Sequence, residues 1–160
     1  MTMRWMALLI LAFTGTSTAL AADELSSGQT LYLPVYSKIW HGDRIAGQQP
    51  VDKLVSALIS IRNTSLKTPI KVTSARYYST EGRLLREYVS KPATIGPMGT
   101  LELFVERKES EGGSGANFII QWNAAAATNP PLIEAVHADI RNGQQALTFI
   151  TTAHPIQADK

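Results

Sequence analysis

Lys53 to Asn63 reads KLVSALISIRN, and its side chains alternate with a period of two. Val55, Ala57, Ile59 and Ile61 fall on one face, while Ser56, Ser60 and Arg62 dominate the other. A pleated strand sends successive side chains to opposite faces, so this stretch predicts a β-strand with one buried and one wet side. The same test decides the rest of the chain. No stretch holds a 3.6-residue period for three turns, which leaves no candidate for a long helix.

Working outward, Thr30 to Tyr36 (TLYLPVY) reads as a strand in which Pro34 marks an edge or a bulge, because proline donates nothing to a ladder. Residues 41–50 form a polar loop. Ile70 to Tyr78 follows the turn at 66–69, and Thr80-Glu81-Gly82 links it to Arg83–Val89 as a hairpin. Thr100–Arg107 alternates again, and Ala116–Asn123 places Phe118, Ile120 and Trp122 on one side. Leu132–Ile140 and Ala146–Thr152 flank Asn142-Gly143, a pair that tolerates the positive φ of a tight hairpin turn. The alanine run 124–127 admits a single helical turn, stopped by Pro130 and Pro131. Seven or eight short strands at regular spacing predict an all-β fold, an antiparallel immunoglobulin-like β-sandwich in preference to a small barrel. The expected domain runs from 30 to 152, with a flexible lead-in at 22–29 and a tail at 153–160.

The 160 residues suit one domain with one core. Residues 1–21 have the parts of a signal peptide: Arg4, the apolar run WMALLILAF at 5–13, and small residues at Ala19 and Ala21. Cleavage after Ala21, with Ala22 the near alternative, is expected, since the apolar run covers about half of the ~20 residues that a membrane span needs. No segment of the mature chain is apolar enough to span a membrane, and a periplasmic or secreted location follows. With Arg4 in the leader, the mature chain carries 14 basic side chains against 13 acidic ones. That near-neutral balance supplies no phosphate-steering field, so no nucleic-acid partner is expected. The chain has no cysteine, which excludes disulfides, thiolate metal sites and a cysteine nucleophile.

Two groups of residues are candidate sites. Gly112, Gly113, Ser114, Gly115 and Asn117 lie in the stretch EGGSGAN, where backbone amides are free to converge on an anion or to approach a partner closely. The stretch lacks the Lys-Ser/Thr of a phosphate-binding loop and the second flanking glycine of a nucleophile elbow. His41 with Asp43, and His137 with Asp139, offer metal ligands, the second pair sharing one face of a strand. The stronger expectation for them is structural, since no further metal-ligand spacing accompanies them. Glu102 and Glu106 alternate with Leu101, Leu103 and Val105, as a solvated sheet face does. No catalytic motif and no cofactor-binding motif is present, so the expected activity is non-enzymatic binding.

Several words of the sequence act together: TLYLPVYSKIWHGD, LISIRNTS with PIKVTSARYY, EGRLLREY, ELFVERKESEGGSGANFIIQW and NPPLIEAV. From about Gly28 to Thr152 they resemble a family of secreted or periplasmic bacterial proteins, domain of unknown function 3124. The resemblance implies a compartment and a domain extent, and no chemistry. Many members carry a lipobox cysteine that this chain lacks, so membrane attachment does not carry over. The expected function is a binding or interaction module of the bacterial cell envelope, with an envelope protein or a small ligand as partner. The alternative is a periplasmic metal- or small-ligand-binding protein built on His41, His137 and the loop 112–115.

Overall fold

The computed structural model describes residues 24–141 and 145–157. The expected signal peptide and its cleavage site, and the Asn142-Gly143 turn, lie outside the described residues. Twelve strands are present among those described, and no helix. In chain order they are β1 (Ser26–Pro34), β2 (Lys38–His41), β3 (Val51–Leu54), β4 (Ser56–Arg62), β5 (Ile70–Tyr78), β6 (Leu84–Glu87), β7 (Ala93–Ile95), β8 (Thr100–Val105), β9 (Asn117–Thr128), β10 (Leu132–Arg141), β11 (Gln145–Thr152) and β12 (His154–Ile156).

Two antiparallel sheets face each other across a common core and do not close into a barrel. The larger runs β12-β1-β9-β5-β6, with β7 also pairing β5, and the smaller runs β11-β10-β4-β8. A separate hairpin of β2 and β3 caps one end. The alternation in β4 is what seats it: Ala57, Ile59 and Ile61 are fully buried. Phe118, Ile120 and Trp122 of β9 meet them from the opposite sheet in one cluster with Leu33, Val72 and Ile133. Core burial of this kind carries the stability of a domain that has no disulfide.

Four features depart from the sequence expectation. The strand expected at 53–63 is divided at Val55, whose amide donates to Ser37 O at 3.0 Å rather than into the ladder. Ala124–Ala127 continue β9 instead of turning as a helix, because β9 pairs with β1 again at Ser26–Thr128 beyond a bulge; that ladder overrides the helical preference of alanine. The lead-in is already strand from Ser26. Part of the expected tail forms β12, which pairs with β1 from Thr30 to Tyr32. Asn63 is buried, and its side-chain amide donates to the carbonyls of Thr68, Ile95 and Gly96. It fastens the turn after β4 to the opposite sheet.

Candidate interaction surface

The glycine-rich loop is built inward. Glu109 Oε1 accepts from the amides of Glu111 and Gly112, Ser37 Oγ from Gly113 N at 2.8 Å, and Thr80 Oγ1 from Gly115 N at 2.9 Å. The loop carbonyls accept in turn: Gly112 O from Thr80 N, Gly113 O from Ser37 N, Ala116 O from Val35 N. Amides engaged in this way do not converge on an anion. Gly112 has a steric reason to be glycine, since a Cβ there would collide with the Tyr77 hydroxyl. Gly113 has a conformational one, with φ at +79°. Ser114 Oγ accepts from Trp40 Nε1 at 3.2 Å, and Asn117 opens β9 opposite Pro34 and Tyr78. The loop binds the β2–β3 hairpin and β5 to the sandwich.

The four candidate metal ligands fall into two environments. His41 and Asp43 are exposed at the end of the β2–β3 hairpin. His137 and Asp139 are buried on the inner face of β10. Among the described residues, no three His, Asp or Glu side chains are grouped to hold a metal ion. His137 Nε2 accepts from Tyr36 N at 3.1 Å, and the ring stacks on Phe149 at 4.4 Å between centroids. That bond puts the proton of the neutral imidazole on Nδ1, a buried atom with no hydrogen bond of good geometry. Burial pushes the His137 pKa down to about 4, with the backbone of Phe149 and Ala135 giving partial relief. Asp139 forms ion pairs with Lys53 at 3.0 Å and with Arg107 at 4.0 Å. The hydroxyl of Tyr77 donates to Glu109 at 2.6 Å, and burial first, then that carboxylate, raises its pKa.

Two open grooves follow the seams between the sheets. One, of about 680 Å³, is lined by Gln29, Leu31, Pro131, Ile133 and His154. The other, of about 820 Å³, runs between the edges of β6 and β8 and is lined by Arg86, Tyr88, Glu102, Phe104 and Lys108. In the second, the Arg86 guanidinium sits 4.5 Å from the Tyr88 ring centre, and Lys108 pairs with Glu106.

The more distinctive surface is the outer face of the four-stranded sheet. In β10 the usual division is reversed beyond Ala135: His137 and Asp139 point into the sandwich, so Val136, Ala138 and Ile140 point out. The pairing registers join Ile150 to Val136, Val136 to Leu58, and Leu58 to Phe104. An unbroken apolar row therefore crosses all four strands, and its two ends, Ile150 and Phe104, are 60% and 53% exposed. The adjoining row Thr148–Ala138–Ser56 is small and uncharged, and the row on the other side carries Glu134 and Glu102. Arg62 is paired with Glu134. The outer face of the six-stranded sheet has no such row: its middle pairing runs His154–Tyr32–Ile119–Arg76–Glu87.

The residues of the apolar row were not among the candidates that the sequence suggested. Their signal was present as breaks in alternation: Leu58 in SALISIR, Phe104 in TLELFV and Val136 in LIEAVHADIR. Each break taken singly is an ordinary surface residue. Only the register aligns them.

The profile of a family of proteins of unknown function, DUF3124, matches residues 28–156. The chain belongs to the DUF3124 family. The match begins within β1 and ends with β12, so the short strand β12 is part of the family domain. No curated protein matches the chain. Among solved structures it is similar to the crystal structure of Thermotoga maritima 1070, at 16% identity over 77% of this chain and 91% of that one, with a TM-score of 0.40. Similarity of that degree carries no argument about function.

Proposed function

We propose that this DUF3124 protein is a non-enzymatic interaction module of the bacterial cell envelope, and that it docks an envelope protein on the outer face of its four-stranded sheet. The row Ile150–Val136–Leu58–Phe104 is the observation that carries this reading. Apolar side chains in register on a solvent-facing sheet leave water in contact with surface that a partner would cover. The flanking charges define that partner's chemistry. Glu102 borders the row on one side, where Glu134 is already paired with Arg62, so a complementary surface is apolar along its centre with a basic residue opposite Glu102. The leader-like residues 1–21 support the envelope compartment.

The test is site-specific photo-crosslinking in the native host, with the photoreactive residue at Phe104, at Ile150, or at Gln121 on the outer face of the other sheet. Phe104 is expected to yield a crosslinked partner, Ile150 the same partner together with any copy of this chain paired at β11, and Gln121 neither. Crosslinks from Gln121 alone, or from all three positions equally, would reject the face as the contact surface.

A further inference from the structure

The two sheets have four edges, one of them shared by β6 and the three-residue β7, and three of the four are protected. β12 is three residues long and contains Pro155. β6 is four residues long, carries Arg86 and Glu87, and meets β5 across a bulge. β8 carries Glu102 in mid-strand and is followed by Glu106. Short length, charge, proline and bulges are the devices by which edges avoid pairing with other chains. β11 has none of them. It is eight residues long, QALTFITT, with no ionisable side chain, no proline and an unbroken register against β10. Among the described residues no strand pairs its outer edge.

The phase of that edge follows from one bond. Ala153 N donates to Ile133 O, continuing the register that pairs Thr152 with Glu134. In an antiparallel ladder the backbone groups alternate between the two sides, so the odd-numbered residues of β11 bond to β10. Ala146, Thr148, Ile150 and Thr152 therefore hold N–H and C=O outward. A second copy of the strand, antiparallel, with Thr148 opposite Ile150 and Ala146 opposite Thr152, pairs all of these groups in about eight inter-chain bonds. The twofold axis then passes at Phe149, a half-buried ring on the inner face that a second Phe149 would cover. Since β11 is uncharged, no like charges meet across the contact.

From this self-complementary edge we propose that the protein forms a homodimer through antiparallel β11–β11 pairing, which joins the two four-stranded sheets into one of eight strands. A second copy suits the edge better than a foreign strand, because one twofold contact satisfies every outward group and closes the assembly. The inference does not depend on the outer face being a docking surface. It extends the apolar row of each copy into the Thr148–Ala138–Ser56 row of its neighbour.

Sedimentation velocity of the purified protein from about 1 to 200 μM tests the pairing, beside Thr148→Pro. Proline there removes an outward N–H and no bond to β10, so the fold is retained while the edge is blocked. The wild type is expected to sediment as a dimer at the upper concentrations, with dimerisation at least tenfold weaker in Thr148→Pro. A mixture of Thr148→Cys and Ile150→Cys chains, in a protein otherwise free of cysteine, supplies a measurement independent of the proline variant. Mild oxidation should give mixed disulfide dimers well above the level of either chain alone. A monomer at every concentration, or a dimer whose cysteines do not crosslink in this register, would overturn the proposal.

Discussion

Acid should destabilise this protein through His137. The imidazole is buried, accepts from Tyr36 N and stacks on Phe149, and its pKa is held down to about 4 by burial. Unfolding returns it to about 6.5. The folded state therefore binds the proton less tightly than the unfolded state does. Stability is complete above pH 6.5 and is lost as pH falls from there through 4. The full effect is bounded at about 3 kcal/mol and is spread between pH 6.5 and 4, so about 1–2 kcal/mol should be gone by pH 5. Urea melts at pH 7 and pH 5 measure this directly. At roughly 1–1.5 kcal/mol per molar urea, the wild-type midpoint should fall by about 1 M. His137→Gln, which keeps an acceptor near Tyr36 N, should be less stable at pH 7 and nearly flat between the two pH values. If the wild type and His137→Gln lose stability in parallel, the acid sensitivity does not come from this ring.

Three other outcomes follow from the same structure. Trp122 is buried against Phe118 and Ile120, so Trp122→Ala should lower stability by about 3–5 kcal/mol in urea melts; its indole Nε1 has no hydrogen-bond partner, and Trp122→Phe should cost markedly less. Gly112→Ala drives a methyl into the Tyr77 hydroxyl and should cost about 2 kcal/mol or more, with part of the loss restored in the double variant with Tyr77→Phe; an unchanged urea midpoint for the single variant would mean that the loop is not packed on Tyr77. Below pH 4.5 a second loss should appear from Glu87 when the urea melts are extended to lower pH. Burial pushes that carboxyl up, but bonds from Ser74 Oγ, Ala75 N and Val89 N outweigh it and hold its pKa below the ordinary value; Glu87→Gln should remove this loss.

The strands that show clean alternation were legible in the sequence, and Ile70–Tyr78 is found with the bounds that alternation implies. Alternation reports burial on one face, and β4, β5 and β9 each have one face in the core. The strands that sequence does not reveal, β2, β7 and β12, are three or four residues long, and Ile95 alone among their residues is buried. Their pairing partners hold them in place, and their own composition says little about it. The glycine-rich loop stands out in the sequence by its three glycines in four positions. Its reason is visible only in space, where Thr80, Ser37 and Tyr77 approach it from other elements. His137 and Asp139 were legible as a same-face pair. That this face is the buried one, which turns Val136 and Ile140 outward, depends on the register of β10 against β4 and β11.

The outer face of the four-stranded sheet is the surface that the partner must cover. The direct measurement is the affinity of the crosslinked partner, once purified, for Phe104→Lys and Ser114→Ala set beside the wild type. Phe104 is exposed, so a charge there should leave the urea midpoint within about 1 kcal/mol of wild type. Affinity should fall at least tenfold for Phe104→Lys and stay unchanged for Ser114→Ala. Undiminished binding by Phe104→Lys, with binding lost in Ser114→Ala, would contradict the account and return the contact site to the glycine-rich loop.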